Sequence, residues 1–129
     1  MRNYAIQMKG ADLDPVSSGS MQSWFFYYKW RPDEEDEVFV PVGKDDLEGV
    51  EPSDMLWFFM DGRLVGRAVV SRVEWDYVNA RKEVWYHTTS CQEAKQYVES
   101  TAPTGELSQD MAELFCIAFT ETDASAAQG

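Results

Sequence analysis

Two apolar runs, Met55 to Met60 and Leu64 to Val70, flank the dipeptide Asp61-Gly62 near the middle of the chain. Asp-Gly is typical of a two-residue hairpin turn, because both central residues take positive φ, which glycine tolerates freely and aspartate better than most residues. The simplest register pairs Phe59 with Leu64, Trp57 with Gly66 and Met55 with Ala68. All these residues are apolar or small, so the pattern predicts a hairpin that belongs to the core. A bulky ring opposite a glycine indicates a sharp bend in the sheet.

Alternating or continuous apolar segments predict the other elements of the fold. Further strands are expected at Asn3–Lys9, Trp24–Trp30, Val38–Val42, Val65–Trp75, Glu83–Thr88 and Leu114–Thr120, with Pro41 restricting its strand to an edge. The capping-box spacing Ser90-Cys91-Gln92-Glu93 predicts a helix to about Ser100 with Ala94, Tyr97 and Val98 inward, and Ser108 predicts a short helical turn through Glu113. Strands outnumber helices and no βαβ alternation occurs. The expected fold is therefore α+β, a small, mostly antiparallel barrel closed by the Leu114–Thr120 strand, with one or two short helices.

The length of 129 residues fits one domain, expected over residues 1–122, followed by a flexible tail over residues 123–129 that lacks large apolar side chains. No run approaches the roughly 20 apolar residues that span a bilayer, and no signal-peptide pattern occurs at the start. Two cysteines, Cys91 and Cys116, cannot build a disulfide framework. We therefore expect a soluble cytoplasmic protein with reduced thiols and no membrane association.

The net charge of −12 is unevenly distributed. Met1 to Asp54 carries 12 acidic and 5 basic residues, Met55 to His87 carries 4 and 5, and Thr88 to Gly129 carries 7 and 1. The basic residues of the middle third are Arg63, Arg67, Arg72, Arg81 and Lys82. An anionic ligand would therefore be held by the central strands. The excess of acids is also typical of adaptation to high salt, an alternative that composition leaves open.

Catalytic and metal-binding motifs are sparse. His87 is the single histidine, beside Trp85 and Tyr86, and Cys91 fits a small buried position better than an activated thiol at a helix N-terminus. The five consecutive acids Asp33 to Glu37 lack the central glycine and distal glutamate of a calcium loop. No nucleophile-elbow, P-loop or zincin motif occurs. We expect no metal, no cofactor and no catalytic residue, and favour a binding protein over an enzyme.

The order of elements resembles the PUA-like superfamily, whose EVE, YTH and ASCH branches share a pseudobarrel. The residues that carry the resemblance are a first strand, then Glu51 to Phe59 entering a hairpin, then Leu64 to Val70 continuing into a strand. Ser53-Asp54 and Val65-Gly66 stand where that superfamily has a "GD" pair and an "IVG" segment. The resemblance covers roughly Asp54 to Val98 and the N-terminal strand. The ASCH signature Gly-x-Lys-x-x-Glu-x-Arg is absent, so its catalytic residues are not transferred.

The resemblance implies a nucleic-acid or modified-nucleobase binding module, in which rings line a pocket beside a basic rim. Each base stacked on an aromatic side chain contributes roughly 1–3 kcal/mol. The residues expected to bind the ligand are Trp24, Trp30, Arg67, Arg72, Arg81, Trp85 and His87. Trp57 is expected in the core instead.

Two alternatives remain open. The first is an acidic interaction protein that imitates nucleic acid and inhibits a basic nucleic-acid-handling protein, such as a defence nuclease. Its surface would consist of Asp33, Glu34, Glu35, Asp36, Glu37, Asp45 and Asp46, whose carboxylates could imitate a row of phosphates. The second, a small hydrolase acting on a nucleoside-type substrate, follows from family analogy alone.

Overall fold

The computed structural model describes residues 1–8 and 37–120. Its strands are β1 (Asn3–Met8), β2 (Glu37–Val42), β3 (Met55–Met60), β4 (Arg63–Asp76), β5 (Arg81–His87), β6 (Gln92–Glu93) and β7 (Gly105–Leu107). One α-helix, α1 (Gln109–Phe115), and two 3₁₀ turns, Thr88–Ser90 and Cys116–Phe119, complete this part of the chain. The strand predicted at Trp24–Trp30, the acids Asp33 to Asp36 and the C-terminal tail lie outside the described residues.

The strands form one sheet in the order β2-β5-β4-β3-β1-β7, and the short β6 also pairs with β4. All neighbours are antiparallel except β1 and β3, which run parallel. Strand β2 ends the order, as Pro41 predicted. The α+β class and the dominance of strands are confirmed. Over residues 1–8 and 37–120 the sheet does not close on itself, since β2 and β7 end the order without pairing.

The hairpin turn has the predicted geometry, with φ of 50° at Asp61 and 82° at Gly62. The predicted pair of Phe59 with Leu64 is also correct. Beyond that pair a β-bulge at Val65 shifts the register by one residue, so that Phe58 faces Gly66 and Trp57 faces Arg67. The other two predicted pairs are therefore wrong, because a bulge inserts one residue that the simple pattern of alternation omits.

Strand β3 is buried on both faces, which explains its unbroken run of apolar residues. One face joins a core formed by Tyr4, Ile6, Leu56, Phe58, Val70 and Tyr86, with Leu47 and Val50 from the β2–β3 loop. The other face places Trp57 and Phe59 in a second core with Phe115 and Ala118 from the C-terminal segment. Trp57 is 2% exposed and its indole N–H donates to Asn3 Oδ1 at 3.1 Å, so its expected core position is confirmed.

The helix predicted from Ser90 is wrong. The Ser90 hydroxyl accepts from the Val69 N–H at 2.9 Å and donates to the His87 carbonyl, instead of capping a helix. Gln92 and Glu93 then pair with β4 as a short strand. Backbone pairing with the free edge of β4 is thus formed in place of the helix that the local capping pattern predicts. Ala94 is buried as predicted, but Tyr97 is 62% exposed.

The short helix at Ser108 is confirmed, because the Ser108 hydroxyl accepts from the Met111 N–H at 3.2 Å and caps α1. The closing strand at Leu114–Thr120 is wrong, since this segment finishes α1 and continues as a 3₁₀ turn. Phe115 and Ala118 face the sheet and Leu114 is 66% exposed. The apolar residues of this segment are therefore spaced as on a helix with one buried face, and not as in a strand that is buried throughout.

Candidate ligand-binding face

Four of the predicted ligand-binding residues lie on one face of the sheet. Trp85, Arg81 and His87 alternate along β5, so their side chains share a side, and Arg72 faces Trp85 from β4. The opposite side of the same strands packs into the core through Val84 and Tyr86. We name the side of β2, β4 and β5 that carries Phe39, Arg72, Trp85 and His87 the Trp85 face. Trp24 and Trp30 lie outside the described residues.

A row of three side chains crosses the Trp85 face. Phe39 on β2 and Arg72 on β4 each pair with Trp85 on β5, which lies between them. The Phe39 and Trp85 ring centroids are 4.9 Å apart at an angle of 44°, and the Arg72 guanidinium carbon lies 4.0 Å from the centre of the Trp85 ring. The indole nitrogen of Trp85 is buried and has no hydrogen-bond partner among residues 1–8 and 37–120. A buried N–H donor without an acceptor is unusual in proteins.

A second β-bulge places Arg72 in this row. Val70 pairs with Tyr86 and Arg72 pairs with Trp85, which leaves Ser71 as an extra residue between them. Val70 therefore enters the core, while Arg72, two residues later, points to the opposite face. Without the extra residue, both side chains would have pointed the same way.

Arg72 is already paired with two carboxylates. Its Nε donates to Glu37 Oε2 at 2.9 Å, and one of its terminal nitrogens contacts Glu74. The hydrogen bond from Arg72 is the main reason why the pKa of Glu37 lies below its usual range. A phosphate group that approached Arg72 would meet these two carboxylates beside it. The guanidinium therefore lies over the Trp85 ring, and nearby carboxylates balance its charge.

Arg81 and His87 occupy the two ends of β5. Arg81 Nε lies 3.3 Å from Asp76 Oδ2 across the strands. Hydrogen bonds from Asn79 are the main reason why the pKa of Asp76 is lowered. His87 is exposed and faces Glu37 in the register.

Arg67 is the predicted site residue that the structure places apart from Trp85. Its guanidinium lies 4.3 Å from the Phe119 ring centre and 5.3 Å from that of Trp57, over the second core. Its Nε donates to Gln92 Oε1 at 2.6 Å. Arg67 therefore covers the core where the C-terminal segment packs, rather than forming a common pocket with Arg72.

Cys91 is not an activated thiol. Burial raises the pKa of the Cys91 thiol, which suppresses the thiolate that nucleophilic chemistry needs. Cys91 is half-buried against the first core, in agreement with the apolar role expected for it. Cys116 is exposed, and both thiols are free.

The predicted acidic surface is divided in the structure. Glu37 belongs to the Trp85 face, whereas Asp45 and Asp46 are exposed on the β2–β3 loop, residues 43–54. This loop, which we name the acidic loop, also exposes Glu48 and Glu51. Its backbone is firmly held. Leu47 is 1% exposed, and the Lys82 ammonium donates to the Asp46 and Leu47 carbonyls at 2.9 and 3.3 Å.

Sequence reasoning missed Phe39 and Glu74 as members of the Trp85 face. Phe39 lies in the alternating strand Val38–Val42, where Val40 and Val42 point into the core. Alternation along this strand therefore assigns Phe39 to the opposite side, and the sequence alone was sufficient to predict it. Glu74 could be assigned to the face only with knowledge of the bulge at Ser71.

An open depression of about 500 Å³ lies at the hairpin turn and is lined by Asp61, Gly62, Glu99, Ser100 and Thr101. Within the described ranges, no aromatic residue on which a base could stack lines this depression. In the described ranges, no helix is both long enough and apolar enough to cross a lipid bilayer.

Comparison with known proteins gives no relative: no family matches the chain, and neither a curated protein nor a solved structure is significantly similar to it.

Proposed function

We propose that this protein binds a nucleobase, free or within a nucleic acid, on the Trp85 face. The observation that carries the proposal is the row of Phe39, Trp85 and Arg72, in which the buried indole N–H of Trp85 finds no acceptor in the described part of the chain. Stacked rings bind the flat surface of a base, and an unpaired N–H matches a ring nitrogen or carbonyl oxygen at its edge. As part of the same proposal, the fold is a PUA-like pseudobarrel, supported by the hairpin that carries the resemblance.

The proposed binding depends on the base more than on phosphate. Arg72 and Arg81 are each engaged by carboxylates on their own face, and the whole chain carries a net charge of −12. Phosphate contacts require free cations, and long basic surfaces dominate ordinary nucleic-acid binding. Stacking and a directional hydrogen bond remain effective without such a surface.

The first test measures binding of short single-stranded and double-stranded oligonucleotides, plain and base-modified, at low salt. We expect Trp85→Ala to weaken binding by about 1–3 kcal/mol, the contribution of one stacked base. Trp75→Ala is the matched control, because Trp75 is 37% exposed on the neighbouring strand and pairs with Lys82 rather than with the row. Trp85→Phe keeps an aromatic ring and separates stacking from the hydrogen bond. Absence of binding to every oligonucleotide and to every free nucleoside would refute the proposal.

The acidic loop supports a second candidate function, the binding of a basic nucleic-acid-handling protein. Four exposed carboxylates, those of Asp45, Asp46, Glu48 and Glu51, project from a backbone that is anchored on both sides. The Tyr4 hydroxyl donates to the Glu48 carbonyl at 3.1 Å, and Asp54 accepts from the Glu51 N–H at 2.8 Å. A fixed set of negative charges can imitate phosphates better than a loose one, because less ordering is needed on binding.

This second candidate is tested by affinity capture from a cell lysate with the chain as bait. We expect a basic DNA- or RNA-handling protein that high salt releases, and we expect Asp45→Asn/Asp46→Asn to abolish capture. The double variant Glu106→Gln/Glu113→Gln changes the net charge by the same amount on exposed positions elsewhere and is the control. Recovery of no basic protein, or equal loss with both double variants, would contradict this function.

A further inference from the structure

Among the described residues, the Trp85 face carries more acidic than basic side chains. The described residues place four carboxylates there, Glu37, Glu74, Asp76 and Glu83, against two guanidinium groups, Arg72 and Arg81. Glu83 lies two residues before Trp85 on β5 and therefore points to the same side. Neither of its cross-strand partners, Glu74 and Pro41, is a cation. A ligand above this face meets an excess of negative charge.

The face already stabilises one planar cation of the chain itself. The Arg72 guanidinium carbon lies 4.0 Å from the centre of the indole ring, while two carboxylates contact the guanidinium nitrogens. A cation over an aromatic ring is attracted by the negative face of the π-system, most strongly for tryptophan. Rings and carboxylates together form a surface that is complementary to a flat, positively charged group and unfavourable to a phosphate.

We propose that the preferred ligand of the Trp85 face is a nucleobase that carries a positive charge, such as a base alkylated on a ring nitrogen, rather than an anionic nucleotide. This inference rests on the proposed function and narrows it to one ligand class. The charged base would stack on the Phe39 ring, accept a hydrogen bond at its edge from the neighbouring Trp85 indole N–H, and have its charge balanced by Glu83.

Two isomeric nucleosides test the inference without a change in size. 1-Methyladenosine is positively charged at neutral pH, whereas N6-methyladenosine carries the same methyl group and is neutral. Calorimetric titration of the full chain should show at least about tenfold tighter binding of 1-methyladenosine, a difference of about 1.4 kcal/mol. Adenosine 5′-monophosphate should bind more weakly than adenosine, because its phosphate adds charge of the disfavoured sign.

Glu83→Gln should remove most of the preference for 1-methyladenosine over N6-methyladenosine, because it removes the carboxylate that balances the positive charge. Glu113→Gln, which removes one charge from the exposed side of α1, should retain the preference. Equal affinities for the two isomers in the unmodified chain, or tighter binding of the monophosphate than of adenosine, would overturn the inference and leave nucleobase binding intact. Failure of every nucleoside and oligonucleotide to bind would overturn the inference together with the proposed function.

Discussion

Individual residues on the Trp85 face depend on their immediate partners more than on their own chemistry. Arg72 is a candidate phosphate ligand in the sequence, yet the structure pairs it with Glu37 and Glu74 and stacks it on Trp85. The Arg72 side chain is 40% exposed, so its ion pairs are screened by water and contribute little to stability. Their main effect is to hold the guanidinium over the indole and to balance its charge.

The pairing of Arg72 with Glu37 predicts a measurable titration. Because Arg72 lowers the pKa of Glu37 in the folded state, the pair stabilises the fold above the pKa of glutamate in the unfolded chain. That contribution is lost as the pH falls through the lowered pKa. Arg72→Gln should therefore raise the pKa of Glu37, followed by NMR of its side-chain carboxyl. Arg81→Gln, on the same face, should leave it unchanged, and an unaltered Glu37 titration in Arg72→Gln would contradict the pairing.

Leu47 is the residue on which the acidic loop depends. Its side chain is 1% exposed in the first core, while the neighbouring carboxylates face solvent. Leu47→Ala should reduce the free energy of unfolding by about 2–5 kcal/mol, measured by denaturant titration. Leu114→Ala makes the same truncation at a position that is 66% exposed and should change it by no more than about 0.5 kcal/mol. Similar losses in both variants would argue against the buried anchor.

The elements of the fold were predictable where local pattern and long-range pairing agree. The β3–β4 hairpin, its Asp61-Gly62 turn and strand β1 follow from turn chemistry and periodicity. The two bulges, at Val65 and Ser71, leave no clear mark in the sequence, because an unpaired residue in a strand is decided by the partner strand. They set which residues face the site.

At Ser90 and at Leu114–Thr120, long-range packing overrides the structure that the local sequence pattern predicts. A good capping signal at Ser90 is overridden by pairing with β4, and an apolar run at Leu114–Thr120 becomes helical because it packs on one face of a sheet that is already formed. Of the candidate site, the sequence identified Arg72, Arg81, Trp85 and His87. It could not show that carboxylates would occupy Arg72, since that requires the cross-strand register.

The N-cap of α1 predicts a change at the level of an element. Ser108→Ala removes the acceptor for the Met111 N–H and should cost about 0.5–2 kcal/mol, whereas Ser108→Gly should cost only a few tenths. Thermal unfolding followed by circular dichroism measures both. If Ser108 did not cap α1, the two substitutions would not rank in this order.

The whole molecule combines a strongly acidic chain with a compact aromatic surface. Its net charge of −12 opposes phosphate, so affinity for a nucleic acid has to come from the base. We therefore expect the logarithm of the binding constant to be nearly independent of the logarithm of salt concentration. Each phosphate contact in a single strand would instead contribute a slope of about −0.7. A steep negative slope in a salt titration would identify phosphate contacts and argue against the Trp85 face as the main binding surface.

The most direct measurement follows the indole N–H groups of the five tryptophans by ¹⁵N-correlated NMR during titration with a base-modified oligonucleotide. The resonance missing from the spectrum of Trp85→Phe identifies Trp85. We predict that this resonance shifts downfield on titration, as its N–H gains an acceptor, while that of Trp57, already bonded to Asn3, stays in place. Binding that moves the other indole resonances and leaves that of Trp85 unchanged would contradict the account.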